Sequence, residues 1–174
     1  LDFSKKMGAK ILKRSKKNSS DAASSEKAWL ESVKQIELKY QKKIDIIVGV
    51  QPTSPIKTGI DFDNAIKIFK RNKLDSLFTS TLINDYCVWS KKINKFSAKY
   101  NFRNRKRRQN IDSKYLENGS FYIFETSKFK RNKNRLFGKI GTYIMPKKNS
   151  YQIDDIEDIN ILDSLFKKKN NLCL

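Results

Sequence analysis

The sequence predicts an α/β fold in which a mostly parallel central sheet is flanked by helices, and three observations lead to it. Residues 44–50, IDIIVGV, form an apolar run too continuous for a strand with one wet face, as expected of a strand covered on both sides. Helical stripes stand before and after it. Trp29, Val33, Ile36 and Tyr40 recur at helical spacing, and Phe62, Ala65, Ile66 and Phe69 do the same. A second β-run over 74–82 then completes the alternation of strand and helix that a right-handed α/β unit requires.

In order along the chain, residues 1–7 read as the end of a helix stopped by Gly8, 9–12 as a short strand and 13–25 as a polar loop. The helix of the first stripe begins near Glu26, with Asp21 or Ser24 as its candidate cap, and packs beside the central strand. That strand ends at Gln51-Pro-Thr-Ser-Pro. Pro52 and Pro55 fix their own φ and push Gln51 and Ser54 toward extended backbone, so the chain leaves the sheet in one shape. The carboxyl ends of strands are where open α/β sheets bind ligands. The plainer alternative is a strand-to-helix turn in which Thr53 or Ser54 caps the next helix.

The second stripe carries Asp61 and Asp63 near its amino end, where the helix dipole favours acids. From 86 to 102 the helical period gives way to short β-like pieces, read as a hairpin excursion whose outer limits are 86–117. Residues 120–124 and 141–145 are strands, the latter closed by Pro146. The last helix begins at Asp154 or Asp155, shows Ile159, Leu162 and Phe166 on one face and ends in Lys167, Lys168 and Lys169. With no internal repeat and no long linker, residues 1–174 are expected to form one domain.

At 174 residues and 38% hydrophobic content the chain can bury a sizeable core. No apolar run approaches the roughly 18 residues of a membrane span and no leader pattern opens the chain, so the expectation is a cytoplasmic protein without a membrane partner. Histidine is absent, and Cys87 and Cys173 lack metal-ligand spacing, which argues against zinc chemistry and histidine catalysis. The net charge of +20 is mostly scattered lysine. The cluster Arg103, Arg105, Lys106, Arg107 and Arg108 is denser and calls for a phosphate or carboxylate partner. With Tyr100 and Phe102 beside it, a basic nucleic-acid-binding module is an alternative reading, although no sequence-specific nucleic-acid contact is expected.

QPTSP after a β-run, RSKKNSSDAASS at 14–25, RRQ at 107–109, ENGSFYIF at 117–124 and SYQIDDIED at 150–158 occur in an order that resembles the CMP-N-acetylneuraminate synthetase family, the cytidylyltransferases that activate sialic acids and related nonulosonates. The resemblance implies a Rossmann-like nucleotidyltransferase acting on CTP and an acidic nine-carbon sugar, with Mg²⁺ as cofactor and a homodimer built on the hairpin excursion. The chain opens on Leu1 rather than Met, and the family's first strand and glycine-rich phosphate loop have no counterpart here. A fragment with little activity by itself is therefore expected, and a noncatalytic remnant of the fold stays open.

By the same resemblance Arg14, Ser24 and Ser25 bind the nucleotide, and Gln51, Arg108, Gln109, Asn118 and Tyr122 bind the sugar. These types suit a sugar acid, since a guanidinium pairs with a carboxylate, amides bind hydroxyl or acylamino groups and a tyrosine ring offers an apolar wall. A solvated basic loop turning at a glycine into a buried strand would account for 108–122 without any ligand. Arg108 and Asp154 are the candidate catalytic residues, and Asp154 the candidate metal ligand. Gln152 stands where the family commonly has the first of two aspartates, and a helix cap at Asp154 or Asp155 is the competing reading.

Overall fold

A computed structural model describes residues 2–20, 23–83 and 87–170. The fold is mixed α/β and compatible with the Rossmann-like class. Its elements run α1 (Asp2–Lys6), α2 (Ser25–Tyr40), β1 (Ile46–Val50), α3 (Gly59–Arg71), β2 (Ser76–Ile83), β3 (Trp89–Lys92), β4 (Lys95–Ala98), β5 (Lys114–Glu125), α4 (Thr126–Asn132), β6 (Ile140–Met145) and α5 (Ile156–Asn170). Strands order as β1-β5-β2-β6 in one sheet, and β3 pairs β4 in a separate two-stranded sheet. Two compact units divide the chain. The first holds Leu1–Val50, Asp63–Leu77 and Phe121–Gly141, the second Gln51–Phe62, Phe78–Ser120 and Thr142–Leu174.

In the first unit the predicted stripes are packed in part, with Tyr40 at the end of the first left exposed. Val33 of α2 and Ala65 and Phe69 of α3 are buried, and β5 contributes Phe121, Ile123 and Phe124, each fully enclosed. Trp29 explains why β1 reads IIVGV. A Cβ on Gly49 would stand 2.7 Å from the indole, so only glycine lets α2 approach the strand this closely. The same indole lies 5.5 Å from the Phe124 ring, which in turn packs 4.4 Å from Phe129 of α4. α1 ends as the sequence suggests: Gly8 adopts φ +84°, the Ala9 N–H reaches Ser4 O and the Gly8 N–H reaches Lys5 O, closing the last turn.

Two local expectations need correction. Residues 9–12 are not a strand, because a strand is defined by its ladder and these residues make none among the described residues. β1 pairs antiparallel with β5, Ile46 opposite Glu125 and Val50 opposite Phe121, and Val50 is 41% exposed. A continuous apolar run reports burial pressure and says nothing of pairing direction, which a partner some seventy residues away decides.

In the second unit the excursion is a hairpin as predicted, its Lys92–Lys95 closure turning through Ile93 at φ +51°. Trp89 meets Tyr100 edge-on at 6.0 Å and Phe102 at 5.7 Å, yet Trp89, Phe96 and Phe102 keep large exposed areas. Tyr86, the first residue of that expectation, lies outside the described residues. α3 starts on a box in which the Thr58 N–H and hydroxyl both donate to Asp61, whose other oxygen accepts from the Tyr143 hydroxyl at 3.2 Å. α5 has a reciprocal box: Asp155 accepts from the N–H groups of Glu157 and Asp158, and Asp158 accepts from those of Asp154 and Asp155. Those backbone donors hold the Asp158 carboxyl below its ordinary pKa.

Candidate functional site

The proline-locked loop after β1 lies in the second unit, where β5 and the 149–153 segment fasten it. The Gln51 N–H donates to Ser120 O at 3.2 Å, continuing the β1–β5 ladder by one rung. The buried Ser54 donates its hydroxyl to Asn118 O, and the Ile153 N–H donates to Thr53 O at 2.8 Å. Asn149 donates its side-chain amide to Ile56 O at 2.7 Å. Proline at 52 and 55 removes two backbone donors from this stretch, and bonds from β5 and from 149–153 take over the task of fixing it.

Gly119 is the pivot of the site. It sits inside β5 at φ +63°, a left-handed kink that glycine adopts without strain, and the Ser120 N–H turns back to Asn118 Oδ1 at 3.2 Å. A Cβ there would lie 2.8 Å from Gln51 Oε1 and 3.3 Å from Gln152 Nε2. The side chains of Gln51 and Gln152 thus meet over a bare backbone. Gln152 Nε2 donates to Asn118 O at 3.0 Å, which an aspartate in its place could not do. Asn118 is fully buried, and its Nδ2, like the Ser120 hydroxyl, has no hydrogen-bond partner among the described residues. Two side-chain amides reaching over the Gly119 backbone, next to a buried unpartnered amide, suit a polar ligand with several hydroxyl or carbonyl oxygens.

The same unit contains Asp154, exposed and directly after the loop-binding Ile153. The cap of α5 uses the carboxylates of Asp155 and Asp158 and only the backbone N–H of Asp154, so the cap assignment goes to Asp155. No group of three His, Cys, Asp or Glu able to hold a metal occurs among the described residues. Gln109 lies exposed in a short 3₁₀ turn, Arg108–Asn110. The Arg108 side chain lies outside the described residues.

Sequence reasoning overlooked Lys57. Its ammonium donates to Gln51 O at 3.0 Å and also to Ser54 O, bridging the two ends of the QPTS turn. Burial pushes its pKa below the ordinary lysine value. Its position two residues past the second proline was the available signal.

The other predicted residues belong to the first unit. Ser24 is the N-cap of α2, its hydroxyl accepting from the Lys27 N–H, and Ser25 is the first helical residue. Arg14 is exposed on a loop latched to α2: Glu31 accepts from the Ser15 N–H at 2.8 Å and from Asn18, while Gln35 donates to Lys13 O. Tyr122 is only 3% exposed, its ring 6.3 Å from Trp29, with the Arg135 guanidinium 4.8 Å from its centre. Arg135 also bonds Glu26. Burial works to raise the Glu26 pKa, but the Arg135 hydrogen bond and charge outweigh it and the carboxyl lies below its usual value.

The chain is 26% identical over 170 residues to the post-translational flagellin modification protein B of Campylobacter coli. The match covers 94% of this chain and 70% of that protein, so it includes the loop, β5 and the 149–154 segment together. No family model matches. Among the described residues no helix is long and apolar enough to cross a membrane.

Proposed function

We propose that the protein is a nucleotidyltransferase that activates a sialic acid or related nonulosonate with CTP, giving the CMP-sugar and pyrophosphate. The observation that carries this reading is that the Gln51 and Gln152 side chains both reach over the kinked Gly119, next to the buried Asn118 with its unpartnered amide. Such a site offers many neutral hydrogen-bond partners on rigid backbone, which is what an oxygen-rich sugar demands. The similarity to a post-translational flagellin modification protein supports an enzyme over a nucleic-acid-binding module.

In this reading the sugar's anomeric hydroxyl attacks the α-phosphorus of CTP and pyrophosphate departs. Gln51, Asn118 and Gln109 bind and orient the sugar, Arg108 pairs its carboxylate, and Arg14, Ser24 and Ser25 serve the nucleotide. Tyr122 is buried against Trp29 and Arg135, so any part it takes in sugar binding is an apolar one. No covalent intermediate is required, and catalysis is positioning plus charge neutralisation. One carboxylate and one amide oxygen fit a hydrated Mg²⁺ only loosely, so Asp154 and Gln152 would take the ion as it arrives with the nucleotide. The ion would neutralise phosphate charge. The exposed Trp89, Phe96 and Phe102 form a surface suited to a second copy of the chain, consistent with a homodimer.

Pyrophosphate release measured over a panel of nonulosonic acids and all four nucleotides tests the reading. Release with CTP and one or more acids is expected. Absence of product with every acid, or preference for another nucleotide, would refute it.

A further inference from the structure

We propose that Lys57 is a positioning residue whose ammonium locks the QPTS turn and thereby sets where the Gln51 side chain stands over Gly119. The turn needs such a lock. Its own backbone bond, from the Ser54 N–H to Gln51 O, is a long 3.4 Å, and Pro52 contributes no donor. Lys57 donates to the same Gln51 oxygen at 3.0 Å and to Ser54 O as well, so one charged donor ties the first and last carbonyls of the turn. Charge-assisted bonds of this kind are about twice as strong as neutral ones. The Ser54 side chain is anchored to Asn118 O on β5, and the Gln51 N–H to Ser120 O, so tightening 51–54 presses Gln51 toward the 118–120 kink.

The lysine is half-buried, and its shift toward lower pKa has desolvation as its cause, with no acidic side chain offsetting it among the described residues. A cation held only by carbonyl dipoles keeps its positive charge uncompensated close to Gln51. The lock therefore differs from an ordinary surface ion pair, where a carboxylate would cancel the charge. That Gln51 orients a sugar rests on the function proposed above. That Lys57 orients Gln51 does not, and the experiment separates the two.

In the ligand-free protein, Lys57→Met should move the Gln51 side-chain amide signal in ¹⁵N-resolved NMR spectra and speed exchange of the Ser54 N–H at least about tenfold. Lys57→Arg, which keeps the charge and several donors, should restore both toward wild type. If Met does not fold, Lys57→Gln, a neutral donor, replaces it in the same comparison. An unmoved Gln51 signal with unchanged Ser54 exchange would overturn the lock. With substrates, Lys57→Met should raise KM for the sugar acid about tenfold while KM for CTP holds, and should add nothing further in a Gln51→Ala background. Fully multiplicative losses in that background would overturn the positioning role in favour of direct substrate contact. Moved NMR signals in a protein that turns over no sugar acid would leave the lock standing and defeat the proposed function instead.

Discussion

The two compact units hold their charges in different ways. In the first, four carboxylates face cations among the described residues: Asp75 and Glu125 meet Lys128, Glu37 meets Lys130, and Glu26 meets Arg135, while Glu31 is met by the Ser15 N–H and the Asn18 amide. In the second, the charges that fix the loop region are met by dipoles: Lys57 by two carbonyls, Asp61 by the Thr58 N–H and two hydroxyls, Asp158 by two N–H groups. Counter-ions pin elements in place and cancel field. Dipoles pin them and leave the field available, which suits the anionic substrate proposed above.

The largest effect that separates the units is a core truncation. Phe129 is fully buried against Phe124, and Phe129→Ala should cost about 3–5 kcal/mol in denaturant unfolding. Asn118 is equally buried, but Asn118→Ala should cost only about 1 kcal/mol, because it sacrifices the Ser120 N–H bond while removing an unpartnered Nδ2. Activity should show the reverse ranking, with Asn118→Ala losing more than about tenfold in kcat/KM at temperatures where both variants are folded. Equal activity in the two variants would remove Asn118 from the site.

The paired glycines sharpen the same contrast at intermediate size. Gly49→Ala drives a methyl into Trp29, and about 1–3 kcal/mol of stability should be lost as the indole is displaced. Gly119→Ala meets the flexible end of Gln51 and must hold φ +63°, a strain of about 1–2 kcal/mol. Its signature should be misplacement of Gln51, read as a raised KM for the sugar acid beyond what the stability loss explains. If Gly119→Ala retains wild-type KM, the amides over Gly119 do not touch substrate.

Periodicity made α2, α3 and the hairpin legible, because each is a local pattern: Val33, Ala65 and Phe69 are buried where the stripes place them. Composition located the loop through Pro52 and Pro55. What stayed hidden depended on distant partners. The antiparallel direction of β1 is set by β5, the role of Gln152 by its bond to Asn118 O, and the burial of Tyr122 by Arg135 and Trp29. Lys57 was hidden in another way, since in a chain with 38 Lys and Arg residues a single lysine carries almost no signal until its two carbonyl partners are known.

Asp154 tests the dipole-rich unit at a site where a carboxylate remains unused by the helix cap. Asp154→Asn should leave stability within about 0.5 kcal/mol, being exposed. It should lower turnover at least about tenfold, equivalent to about 1.4 kcal/mol, and raise the Mg²⁺ concentration needed for half-activity. Gln152→Asp adds charge for the ion but gives up the bond to Asn118 O, so tighter metal binding should come with a raised KM for the sugar. Unchanged turnover and Mg²⁺ dependence in Asp154→Asn would end its assignment as a ligand.

The smallest expected effect lies in the pH response of the ion-paired unit. The Lys128 hydrogen bond, with that of the Lys139 N–H, holds the Asp75 carboxyl below its usual 3.8, and Lys128 with Ser127 does the same for Glu125 against 4.5. A depressed native pKa means that the unfolded chain takes up protons first as pH falls. The stabilisation is therefore complete above the ordinary carboxylate range and is lost as pH drops through the native values. All three groups are solvent-accessible, so the contribution is small and salt-sensitive. Urea midpoints should fall from neutral pH to about pH 3 in wild type, and Asp75→Asn should flatten that fall while shifting the neutral midpoint slightly downward. Lys57→Met, removing a charge held by carbonyls alone, should leave the acid slope as it is in wild type. An acid slope that follows Lys57 and ignores Asp75 would invert the contrast between the Lys128 ion pairs and the carbonyl-held Lys57.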